Sequence, residues 1–206
     1  MKNIRRLLIV TLLFFMASTV FCPGQAYAAS KNAAAHSAYS TKMKALMKNN
    51  SWIRDGIRYY YKDLNRDGSD EVIMLYHDYS KGSSDQFRIY TYKNGKAKLI
   101  GSEQIYGLAK IIYYKKTKSL VVWSAGHGNE VYRYFKYSKG KYKPAAIKCR
   151  ISTKGGSWYN GSWQYYKGNF TSSITSAKFK KLVKTIRKGT ASKNFYSYNK
   201  WKVCLN

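Results

Sequence analysis

Nine consecutive residues, Asp63-Leu64-Asn65-Arg66-Asp67-Gly68-Ser69-Asp70-Glu71, carry four of the nine carboxylates in this chain. Oxygen-bearing side chains fall at positions 1, 3, 5 and 9 of the segment, with glycine at 6, the spacing by which a short loop wraps a hard cation. A spacing of two turns alternate side chains inward. Gly68 permits the sharp reversal that a Cβ resists, and Ser69 offers its main-chain carbonyl. Every donor is oxygen, which selects calcium over transition metals. The predicted ligands are Asp63, Asn65, Asp67 and Glu71 through their side chains and Ser69 through its carbonyl. The same residues also suit an Asx-stabilised hairpin turn, with Arg58 and Lys62 as counter-charges.

The loop is not an EF-hand. Asp70 stands where an apolar residue is needed, and Met74 where the bidentate Glu belongs. Its flanks, Tyr59-Tyr60-Tyr61 and Val72-Ile73-Met74-Leu75-Tyr76, read as strands. In that setting the segment resembles the calcium loops of FG-GAP and VCBS-type β-repeats. It is more similar still to uncharacterised secreted proteins of Gram-positive bacteria, which carry a Y-x-x-x-D-x-N-G-D-G-x-x-E-L-I segment after a short helix. Arg66 replaces the usual Gly and Val72 the usual Leu, neither at a ligand position. The resemblance spans Ala33 to Lys143 and implies a calcium-binding module without an assigned reaction.

Other chemistry is sparse. His127, in Gly126-His127-Gly128 near Ser124 and Glu130, suits a secreted hydrolase using that histidine, or simply a turn. His77-Asp78 could orient a base or end a strand in solvent. There is no G-x-S-x-G, H-E-x-x-H, Walker loop or C-x-x-C. Carboxylates packed into one turn seldom straddle a glycosidic bond. The expectation is therefore a non-enzyme.

Met1 to Ala28 reads as a signal peptide: Lys2, Arg5 and Arg6 precede an apolar run from Leu7 to Phe21, and Ala26-Tyr27-Ala28 is a small-x-small cleavage site. Residues 29–206 then form a single secreted β-rich domain, with no later transmembrane segment. Phe21 and Thr19 argue against a lipid anchor on Cys22. Cys149 and Cys204 remain, either as a disulfide or as two free thiols.

The chain holds 38 Lys and Arg against 9 Asp and Glu, a formal charge of +29. Lysine outnumbers arginine, which favours diffuse attraction to polyanions over bidentate recognition. An extracellular, basic Tyr/Lys surface such as Tyr132 to Tyr142 suits anionic polymers, teichoic acid or glycosaminoglycan, with tyrosine faces stacking on sugar rings. Half-buried strands produce the same alternation. No specific nucleic acid is expected, and a monomer is. A cationic toxin or inhibitor is the other reading of the charge.

The elements follow from periodicity. Tyr39, Met43, Leu46 and Met47 predict a helix over Ala33 to Lys48, and Trp52 a cap on the core. Asn94-Gly95 predicts a type I′ hairpin between Gln86–Lys93 and Ala97–Glu103. The strand order then repeats, Val121 answering Val72 and Gly140 answering Gly95, at a period of about 45 to 50 residues. In the second repeat the basic turn Lys115-Lys116-Thr117-Lys118 replaces the acidic loop. A further hairpin is predicted around Asn160-Gly161. Phe179, Leu182, Val183 and Ile186 mark a helix after Thr175, and residues 195–203 an edge strand. The fold class is mainly β (α+β), with antiparallel sheets of two propeller-blade-like repeats and a helix at each end.

Overall fold

The computed structural model describes residues 23–82, 84–126, 128–152, 161–192 and 201–205. Helix α1 (Pro23–Lys48) is followed by β1 (Ile57–Lys62), β2 (Glu71–His77), β3 (Asp85–Lys93) and β4 (Lys96–Ile105). Then come β5 (Leu108–Tyr114), β6 (Ser119–Gly126), β7 (Asn129–Ser138), β8 (Lys141–Ile151), β9 (Gln164–Lys167), helix α2 (Ser176–Ile186) and β10 (Lys202–Cys204). Two antiparallel sheets result, ordered β10-β1-β2-β3-β4 and β5-β6-β7-β8-β9.

Side chains from both sheets, among them Ile73, Leu75, Phe87 and Ile89 with Ile111, Leu120, Val122 and Phe135, share one buried core. The intervening residues of β2, Val72, Met74 and Tyr76, point the other way and pack under Ala35, Tyr39, Met43 and Met47 of α1. Opposite them Val121, Tyr134 and Ala146 pack under Phe179, Val183 and Ile186 of α2. The period of two in the strands therefore feeds three apolar layers, and the order of the molecule is helix, sheet, sheet, helix. β2 is buried from Glu71 to Tyr76 because both its faces are covered.

The repeat is visible in backbone detail. Asn94 and Gly95 have φ of 52° and 75°, and Lys139 and Gly140 have 50° and 73°. Both hairpins therefore turn in the left-handed region that a two-residue connection needs. Register slips at Ile89/Tyr90 in one hairpin and at Tyr134/Phe135 in the other, the same distance before each turn glycine.

Two expectations change and one open alternative is decided. α1 starts at Pro23 rather than Ala33, because proline suits a first helical position and the alanine-rich stretch after it favours helix. Its described contacts begin at Lys31. Trp52 does not cap the core: it is 48% exposed, and Ile53 is the buried residue there. Cys149, on β8, and Cys204, on β10, lie in different sheets and are free thiols. The C-terminal helix begins after Thr175, whose hydroxyl accepts the Lys178 amide. Of the predicted Asn160-Gly161 hairpin, Asn160 lies outside the described residues, as do positions 195–200 of the predicted edge strand. The remainder of that strand is β10, paired with β1. No helix is long and apolar enough to cross a membrane among the described residues.

Candidate metal centre in the β1–β2 loop

The acidic loop joins β1 to β2 at the point where both sheets and α1 meet. Leu64 is wholly buried in the core between the sheets. Its carbonyl accepts hydrogen bonds from Tyr113 (2.7 Å) and Tyr142 (3.0 Å), both on the second sheet. On the other side α1 holds Asp70. Asn32 Oδ1 accepts its amide at 2.8 Å, Tyr39 donates to its carbonyl at 2.7 Å, and His36 Nε2 lies 3.0 Å from its carboxylate. Asp70 is acidic at a position an EF-hand keeps apolar because it faces a helix, not the loop centre.

Within the loop the side chains of Asp63, Asn65 and Asp67 accept backbone amides of the loop itself. Asp63 Oδ1 accepts the Arg66 amide (2.7 Å), Asn65 Oδ1 the Asp67 amide (2.8 Å) and Asp67 Oδ1 the Ser69 amide (2.9 Å). These bonds realise the Asx-turn alternative. Glu71 is fully buried. Its Oε2 accepts the amides of Leu64 (2.8 Å) and Asn65 (3.0 Å), and its Oε1 accepts Asn65 Nδ2 (2.7 Å) and the Thr91 hydroxyl (2.8 Å). The same Nδ2 donates to Asp67 Oδ2 at 3.1 Å. Two carboxylates thus flank one amide nitrogen. Burial pushes the Glu71 carboxyl up to about 7 against the pull of its donors, with Asp67 adding to the rise. Ser69 Oγ is buried without a hydrogen-bond partner.

Arg66 and Gly68 have φ of 62° and 82°. Arg66 occupies the left-handed position where the resembling proteins carry Gly. Nothing crowds a Cβ at Gly68, so the backbone angle alone calls for glycine there. Lys31 is a cationic partner of the loop: it donates to the Asp67 carbonyl at 3.2 Å and lies 3.7 Å from its carboxylate. Lys62, read from sequence as a counter-charge, stands over the Tyr113 ring instead.

The donor set is chemically suited to a hard cation: three carboxylates, an amide oxygen and a carbonyl, carried on a loop pinned from two sides. As the side chains stand, Asn65 Nδ2 holds the loop centre. No three His, Cys, Asp or Glu side chains converge closely enough to hold a metal by themselves among the described residues.

The hydrolase alternative finds its partners otherwise engaged. His127 lies outside the described residues. Glu130 is paired with Arg150 (2.6 Å) and accepts from Tyr132 (3.1 Å). Ser124 accepts from the buried Arg133 at 3.1 Å. His77 lies 3.0 Å from Asp85, and Asp78 caps a short 3-10 turn while accepting from Asn50. Sequence reasoning missed Thr91, Asn32 and His36, which approach the loop from other strands and from the helix. Only their polarity beside otherwise apolar positions marked them.

Next to the loop a groove of about 1160 Å³ runs past Asp63, Arg66 and Lys62 to Lys115 and Lys116, the basic turn of the second repeat. A scan with family models, a search of curated proteins and a search of solved structures each return no match to this chain.

Proposed function

We propose that the chain is an exported, calcium-stabilised β module that associates with anionic polymers of the cell wall or extracellular space through its basic surface. Asp63, Asn65, Asp67 and Glu71 would hold the ion by their side chains and Ser69 by its carbonyl. Bound calcium supplies positive charge to buried oxygens. The carrying observation is Glu71: a wholly buried carboxylate set beside Asp67 in a chain with few acids, pushed towards neutrality by its burial and by that neighbour.

The loop touches α1 and both sheets, so holding it rigid stabilises those three layers at once. Ligand binding to the native state alone raises the melting temperature. The two strand sets read as a duplicated, blade-like unit in which one hairpin tip is acidic and its counterpart basic. The charge of +29 supports a polyanionic partner. The test is retention of the protein, with residues 1–28 removed, on cell-wall polymer across a salt series. Retention that falls steeply through physiological salt is expected, and salt-insensitive retention contradicts the electrostatic part.

A further inference from the structure

A second groove, of about 650 Å³, lies along α2, lined by Lys148, Lys180, Lys184 and Arg187. It shares Gly189 and Ala191 with the groove beside the acidic loop. The segment that joins them is fixed against β5: Ser192 donates to the Tyr113 carbonyl (2.8 Å) and its hydroxyl accepts the Tyr113 amide (2.9 Å), with Ala191 bridged to Tyr114. The floor between the grooves is therefore ordered backbone, and cations stand on both sides of it.

The aromatic residues in these grooves decide what the cations receive. Tyr61 is stacked on His36 at 3.8 Å, and Tyr60 packs on Trp201 at 6.1 Å. Lys62 stands over Tyr113, and Arg187 over Tyr114. Tyr134 and Tyr165 pack against Phe179 at 5.5 and 4.9 Å. Each ring already has a protein neighbour on a face or edge, so among the described residues the grooves present no ladder of open faces of the kind that takes successive bases. Stacking of sugar rings on these groove tyrosines, of which Tyr134 belongs to the Tyr132 to Tyr142 stretch, is disfavoured for the same reason. What remains is a row of mainly lysine charges, suited to a chain of phosphates without rings to stack.

We infer that the two grooves, joined at Gly189 and Ala191, form one track for a linear polyol-phosphate chain. Cation occupancy of the acidic loop opens the track's near end. Asp63 and Asp70 line that end and repel phosphate; neutralising the loop with calcium removes the repulsion. This inference rests on the proposed function and supplies its ligand class and location.

Binding of fluorescein-labelled poly(glycerol phosphate) to the protein without residues 1–28 tests it. Lys115→Ser/Lys116→Ser and Lys180→Ser/Lys184→Ser should each weaken binding about tenfold and lower the slope of log affinity against log salt by about two. Lys93→Ser/Lys96→Ser removes the same charge from the exposed β3–β4 hairpin, outside both grooves, and should change affinity less than about twofold. Millimolar calcium should tighten binding by the wild type and leave Asp67→Ala unchanged. Equal losses in the groove and hairpin variants would overturn the track while leaving the proposed function standing. Absence of wild-type binding to the polyol phosphate overturns the track, and absence of binding to heparin as well overturns the proposed function. Tighter binding of a single-stranded oligonucleotide or of heparin than of the polyol phosphate overturns the ligand class, and calcium-independent affinity overturns the opening of the near end.

Discussion

Raising the pH should destabilise the calcium-free protein, and Glu71 sets the size of the effect. Burial moves this carboxyl from its ordinary 4.5 to about 7 in the folded state. The fold therefore favours the neutral acid, so the contribution is fully present below 4.5 and is lost as pH rises through 7. At about 1.4 kcal/mol per pH unit the loss comes to roughly 3 to 4 kcal/mol, a large share of the 5 to 15 kcal/mol typical of a domain. Urea unfolding in chelator from pH 4.5 to 8.5 measures it. In Glu71→Gln the amide oxygen can keep the two backbone donors while its NH2 group faces Asn65 Nδ2. That variant should sit about 1 kcal/mol below the wild-type acid plateau. It should retain only a residual slope of the same sign from Glu103, which burial also raises. Calcium should restore wild-type stability at pH 8. A wild-type profile that is flat or rises between pH 5 and 8 would refute the reasoning.

Further outcomes follow from the packing. Tyr113→Phe or Tyr142→Phe alone should cost about 1 kcal/mol, since the other hydroxyl still serves the Leu64 carbonyl. The double variant should cost more than the sum in urea unfolding, because a buried acceptor is left bare. Gly107→Ala should destabilise by about 2 to 4 kcal/mol: φ there is 58°, and a Cβ would meet the Ala125 carbonyl oxygen at 2.3 Å. Thiol titration of the protein without residues 1–28 should count two free thiols, Cys204 reacting in the native state and the buried Cys149 only on unfolding, with no change on prior reduction.

Much of this architecture was legible because each layer has its own period. Phe179, Val183 and Ile186, with Thr175 before them, gave the start of α2, which ends at Ile186, short of Gly189, and Asn94-Gly95 announced its hairpin. Lys139-Gly140 makes the same turn but lacks the asparagine that advertises it, so only the repeat reveals it. The spacing of Asp63, Asn65, Asp67 and Glu71 announced the tightly turned loop between β1 and β2. It could not show that Leu64 would be the buried plug, that Asp70 would turn towards α1, or that Thr91 would reach Glu71, because these are contacts between segments distant in sequence. The grooves were illegible for the same reason: Lys115 and Lys184 share a track only once β5, α2 and the 189–192 segment are packed together. Trp52 misled because residue type alone does not decide between two adjacent positions. The strand entry buries Ile53 and leaves the indole under Arg54.

The claim that the β1–β2 loop grips calcium is tested most directly by calorimetric titration of calcium into the chelator-treated protein at pH 7, repeated in buffers of different ionisation enthalpy. The expected result is one site, lost in Asp67→Ala, with release of about half a proton as Glu71 gives up its share on binding. No heat of binding, or equal binding by the variant, would contradict the account.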